Sequence, residues 1–143
     1  MATLPDDCAL TLTTPELPQL ALAVYLREGG YDRHLRRIKG AFADQVRGMV
    51  DAVTAYFPEG TRVTRPLGGF VIWVELPGEI DTIELYDAAI AGGFSFAPGR
   101  IFSASDRYRN CLRLSCGHPW SPRREQAIVK LGQLIKDVRA PRR

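Results

Sequence analysis

The stretch "NCLRLSCGHPW" (residues 110–120) gathers chemically able side chains: an arginine, two cysteines and a histidine in a strand-like alternation. Alternation sends Leu112, Leu114 and Cys116 to one face and Cys111, Arg113 and Ser115 to the other. The first set suits a core. The second presents a guanidinium among small polar neighbours, and its planar pair of donors fits a carboxylate. Two readings stay open on spacing alone: an arginine on the wet face of a half-covered sheet, or a carboxylate clamp. Cys111 and Cys116 are five positions apart, so one strand points them to opposite faces and they cannot chelate one ion. His34 falls in a predicted helix and His118 in a loop, with no CxxC or HxxxH pairing, so no metal site is expected. No Ser-His-Asp or Cys-His arrangement stands out, and neither GxGxxG nor GxxxxGK[ST] is present.

Two glycine-bearing turns flank strand-like runs. Gly68–Gly69 precedes one strand, and Ala97-Pro98-Gly99 ends another. Glycine there permits a tight turn or the close approach of another group. Arg33, Arg36, Arg37, Lys39 and Arg47, with Arg123, Arg124 and Lys130, could form a basic patch for nucleic acid. Asp32, Asp44, Glu125 and Asp137 dilute it, and a solvated helix face is the plainer reading. The net charge of +3 is too mild to argue for nucleic acid by itself.

The elements that must position these residues are legible in the periodicity. Residues 1–13 read as a flexible leader. A helix is predicted from Thr14–Pro15 to Glu28, capped by Thr14 and stopped by Gly29–Gly30. A second runs from Tyr31 to Phe57, with Leu35, Ile38, Phe42, Val46, Met49, Val53 and Tyr56 as a continuous buried face. "TRVTR" (61–65) and "GFVIWVEL" (69–76) form a hairpin-like pair. In the latter, Phe70, Ile72 and Val74 share one face, and Val71, Trp73 and Glu75 the other. A helix over Thr82–Ala91 follows the cap Asp81, then a short strand at 94–99 and an irregular connection from Arg100 to Arg109. After the strand 110–116, a last helix begins with Pro122 and runs to Val138, and residues 139–143 should fray. The expected fold is α+β: a small, largely antiparallel sheet with helices packed on one face. The strands 69–76 and 110–116 should be neighbours, and the second and last helices should pack through Ile38, Phe42, Ile128 and Leu131.

Composition sets the outer bounds. A chain of 143 residues, 45% hydrophobic and 24% charged, is expected to be one globular domain with a real core. No apolar run approaches the roughly 20 residues that span a bilayer, and no secretory signal is evident. Three cysteines, an odd and low count, suit free thiols in a cytoplasmic protein.

In order, "GYDRHLRRIKGAF", "FPEGTRVTRPLGGFVIWVEL", "FSFAPGRIFSAS" and "NCLRLSCGHPW" resemble the C-terminal segment of fold-type I, pyridoxal-phosphate-dependent aminotransferases. The similarity covers residues 14–138 and is closest to the aminotransferase-like half of MocR-type regulators in the GntR family. It implies that Arg113 binds the α-carboxylate of an amino-acid ligand, and that Gly68, Gly69, Pro98, Gly99 and Phe102 line the cleft. It also implies partners outside the sequence: a large domain with the Schiff-base lysine, the anionic partner of the pyridine nitrogen and the phosphate-binding residues, and a winged-helix domain for DNA. The expectation is a detached small domain without cofactor or autonomous activity, with pyridoxal phosphate in the complete family member and a possible homodimer. The alternative is a basic nucleic-acid-associated or protein-interaction domain without ligand.

Overall fold

The structure is a computed structural model that describes residues 16–78, 80–105 and 107–139. The predicted leader, the Thr14–Pro15 cap and the tail from residue 140 lie outside the described residues. By its contacts the chain divides into two compact units, 1–38 and 39–143, with the division falling inside a helix.

In the first unit, α1 (Glu16–Arg27) ends at a turn in which Gly29 adopts φ +70°. None of the residues of α1 is buried. There α2 (Gly30–Tyr56) begins, and most of it belongs to the second unit.

The second unit is built on a four-stranded sheet, β1 (Arg62–Val63), β2 (Val71–Glu75), β3 (Ala97–Pro98) and β4 (Cys111–Ser115). Its spatial order is β1-β2-β4-β3, and every neighbouring pair is antiparallel. β2 and β4 pair along their whole length, as the sequence leads one to expect. The inner face carries Ile72, Val74, Leu112 and Leu114, all buried, and Cys116 follows them into the core. Over it lie the C-terminal half of α2, α3 (Thr82–Ala91) and α4 (Pro122–Arg139). Asp81 caps α3 by accepting from the Ile83 N–H at 3.0 Å, and the helix ends at Gly92.

Two expectations need correction. The face of α2 is buried only from Val46 onward, through Met49, Val50 and Val53; Leu35 and Ile38 are half-buried, and Phe42 packs its ring on Phe70 at 5.2 Å instead of on the sheet. Within the second unit, residues 39–56 of α2 extend roughly 27 Å, whereas five-residue strands reach roughly 17 Å, so the sheet covers only its later part. α4 does pack as expected, through Ile128, Leu131 and Ile135. The strand expected at 94–99 shrinks to Ala97–Pro98, because the Phe94 N–H turns back to the Ala89 carbonyl of α3 at one end and Gly99–Phe102 winds into a 3₁₀ turn at the other.

Candidate functional site

Sheet register builds the site. Trp73 on β2 lies opposite Arg113 on β4, and Ala97 on β3 flanks Arg113 on its other side. Residues in register share a face, so these three form one row across the sheet on the side that the helices leave open. Arg113 is exposed there. Its guanidinium carbon stands 4.6 Å from the centre of the Phe102 ring, over the ring face, in a cation–π contact. Trp73 meets Phe102 edge-on at 5.6 Å and Tyr108 at 5.4 Å, so the guanidinium lies beside an aromatic wall drawn from three segments. Among the described residues no carboxylate pairs with Arg113. Its donors therefore remain available to an acceptor from outside.

The wall is delivered by the segment that leaves β3. Pro98 and Gly99 are buried where the chain turns back over β4. A Cβ on Gly99 would stand 2.7 Å from the Cys111 carbonyl oxygen and 2.8 Å from the Cys111 Cβ, and would also strike the Tyr108 carbonyl. Only glycine permits that approach. The same closure explains why Cys111, on the otherwise open face, is 4% exposed. Burial pushes the Cys111 thiol up; a hydrogen bond with Trp73 pulls it down and the Glu75 charge adds to the rise. Burial likewise raises the Cys116 thiol on the opposite face, with Arg124 partly offsetting it. Neither thiol has the lowered pKa of a nucleophile.

Of the residues singled out in the sequence, Arg113, Pro98, Gly99 and Phe102 come together. Gly68 and Gly69 do not join them; with Lys39, Phe42 and Val46 they line a separate cavity of about 380 Å³ at the β1–β2 connection. Trp73 and Tyr108 were not singled out. The alternation of "GFVIWVEL" places Trp73 on the face opposite Ile72 and Val74, yet nothing local pairs it with Arg113. Among the described residues no three His, Cys, Asp or Glu side chains converge on a metal-sized site.

No family model matches the chain. It is 36% identical over 117 residues to the uncharacterized HTH-type transcriptional regulator YjiR of Escherichia coli, spanning 82% of this chain and 25% of the regulator. It is 35% identical over 127 residues to a second such regulator of that organism, YdcR, spanning 89% of this chain and 27% of YdcR. Among solved structures, the α-aminoadipate aminotransferase LysN of Thermus thermophilus aligns with a TM-score of 0.74 at 30% identity, over 92% of this chain and 34% of that one. The chain belongs to the pyridoxal-phosphate-dependent aminotransferase-like family. Its α+β sheet and helices are those of the aminotransferase small domain, and it spans between a quarter and about a third of these relatives' lengths.

Membership in this aminotransferase-like family implies pyridoxal phosphate in a complete member. The described residues do not make a site for it by themselves. The three lysines, Lys39, Lys130 and Lys136, lie on α2 and α4, and none is on the sheet face of Arg113. Attachment of the cofactor requires an amine beside its aldehyde, and among the described residues this face carries the Arg113 guanidinium and no lysine.

Proposed function

We propose that this chain forms the ligand-carboxylate wall of a composite amino-acid site in a longer pyridoxal-phosphate-dependent protein, and that this protein is a MocR-type regulator of the GntR family. The observation that carries the reading is the open guanidinium of Arg113, stacked on Phe102 and unpaired with any carboxylate among the described residues. An arginine held in this way offers two parallel N–H donors to an α-carboxylate, which orients the amino acid without moving a proton. In this reading the cofactor and the lysine that holds it come from another domain, and the chain alone does not transaminate. The regulator assignment draws on the similarity to YjiR and YdcR. Among the described residues, the exposed Arg47 of the predicted basic patch pairs with Asp44 at 3.5 Å, which fits a solvated helix face.

The test compares ligands that differ only at the carboxylate. A protein containing this chain and a lysine-bearing aminotransferase domain is titrated with N-(5'-phosphopyridoxyl)-L-leucine, the conjugate bound to LysN, and with its carboxamide. Arg113→Lys should weaken binding of the acid by about tenfold to a hundredfold, because a charge-assisted contact contributes roughly 1.5–3 kcal/mol. Binding of the amide should barely change. Equal loss for both, or no loss for either, overturns the carboxylate role.

A further inference from the structure

We propose that Asp81 is a positioning residue for Arg113, because its carboxylate fastens the two loop arginines that flank the aromatic wall. The functional meaning rests on the carboxylate reading of Arg113, but the geometry and the test do not.

Asp81 uses its two oxygens differently. Oδ1 accepts from the Ile83 N–H at 3.0 Å and caps α3. Oδ2 accepts from Arg100 Nη1 at 3.0 Å and from Arg109 Nη2 at 3.3 Å. A cap needs one oxygen and no second cation. The Asp81 side chain is only 12% exposed while the arginines are 34% and 54% exposed, so both reach inward to a carboxylate held largely away from solvent.

The positions of those arginines give the arrangement its consequence. Arg100 sits in the 3₁₀ turn Gly99–Phe102, two residues before the ring that stacks on Arg113. Arg109 follows Tyr108, whose ring packs on Trp73. The backbone of Arg109 is held as well, since its carbonyl accepts from both the N–H and the Oγ1 of the buried Thr82 at 2.9 Å. Tyr108 adopts φ +63°, a left-handed conformation that a tyrosine keeps only where its surroundings over-determine it. Asp81 and Thr82, adjacent at the start of α3, thus hold both ends of the segment that brings Phe102 and Tyr108 to the sheet. If the carboxylate loses its charge, the wall loosens and the guanidinium loses its ring, even though α3 stays capped.

The two tryptophans make this readable without any ligand. In a Trp120→Phe background Trp73 is the sole reporter, and Asp81→Asn keeps an acceptor for the cap while removing the charge. The acrylamide quenching constant of Trp73 should roughly double as its aromatic neighbours loosen, and amide exchange at Ser103, Arg107 and Tyr108 should rise by about tenfold, with helical circular dichroism unchanged. The double variant Arg100→Gln, Arg109→Gln leaves Asp81 and the cap intact and should reproduce both changes. Unchanged quenching and exchange in folded Asp81→Asn overturn the proposal. Should that variant fail to fold, the double variant decides: a wild-type Trp73 signal in it overturns the proposal equally. A failed ligand test of Arg113→Lys would remove the carboxylate reading and leave these outcomes as they stand.

Discussion

Arg113 makes its described side-chain contact with one ring and projects from an open sheet face, so its value to the fold of this chain is small. Arg113→Lys should therefore change the stability of the isolated chain to urea by no more than about 0.5–1 kcal/mol, the scale of an exposed cation–π contact. A loss of several kcal/mol would make the residue architectural. Cys111 and Cys116 behave oppositely, being chemically quiet and structurally placed. Their folded pKa values lie above the unfolded 9.0, so their contribution to stability is complete below that pH and fades as pH rises through the raised values. Alkylation near pH 8, followed by mass spectrometry, should label both native thiols at least about tenfold more slowly than in urea. Equal rates would contradict their burial. Tyr56 adds a second alkaline sensitivity by donating to Glu125 Oε1 at 3.0 Å. That hydrogen bond, then the Glu125 charge, then burial raise its phenol above 10.0, so the bond stabilises the fold below that pH and is lost as the phenol ionises above it. Tyr56→Phe should flatten the fall in urea midpoint above about pH 10.

At the scale of elements, α2 and α4 meet so closely that one position has no room for a side chain. A Cβ on Gly132 of α4 would stand 2.5 Å from the Tyr56 carbonyl oxygen and 3.0 Å from its carbon, both backbone atoms that cannot swing aside. Gly132→Ala gains up to about 1 kcal/mol of helix propensity, but it must push the packed helices apart, and overpacking of this kind costs about 1–3 kcal/mol. The variant should be less stable than the parent in urea denaturation; a rise in midpoint would show that the helices separate freely. β4 and α4 are joined by Arg124, which donates to the carbonyls of His118 and Ser115 and so holds the loop between them in its turn. These contacts belong to the covered face, and the site belongs to the uncovered one. The surroundings of Arg113 come instead from Phe102 and Tyr108, whose neighbours Arg100 and Arg109 bond to Asp81 at the start of α3.

For the whole molecule, what this chain presents to other surfaces matters most. It spans about a quarter to a third of its relatives, and leucines of α1 such as Leu17 and Leu20 are 81% and 59% exposed. Contiguous apolar surface beyond a few hundred Å² drives association. Sedimentation of the isolated chain should show a mass that rises with concentration, and a strict monomer at high concentration would contradict this. Incubation with pyridoxal phosphate and an amino acid should yield no keto acid, and borohydride should fix the cofactor onto no single lysine. Selective labelling of Lys39, Lys130 or Lys136 would show that the chain holds the cofactor after all.

The sequence by itself determined the order of the elements and the faces of β2 and β4. Alternation in "GFVIWVEL" and "NCLRLSC" assigns Ile72, Val74, Leu112 and Leu114 to the core and Trp73 and Arg113 to the other side, because strand parity is a local property of the backbone. Asp81 and Gly92 bound α3 through the chemistry of helix ends, which is equally local. Four motifs in order were enough for the family resemblance. Only the tertiary structure decided which half of α2 is buried, since that depends on the reach of a sheet assembled from residues up to 115. It alone seated Phe102 over Arg113, closed Gly99 onto Cys111, and brought Asp81 to Arg100 and Arg109. Those contacts join residues 11 to 28 positions apart through loops without periodicity, and such loops take their course from packing and ion pairs that no sequence pattern records.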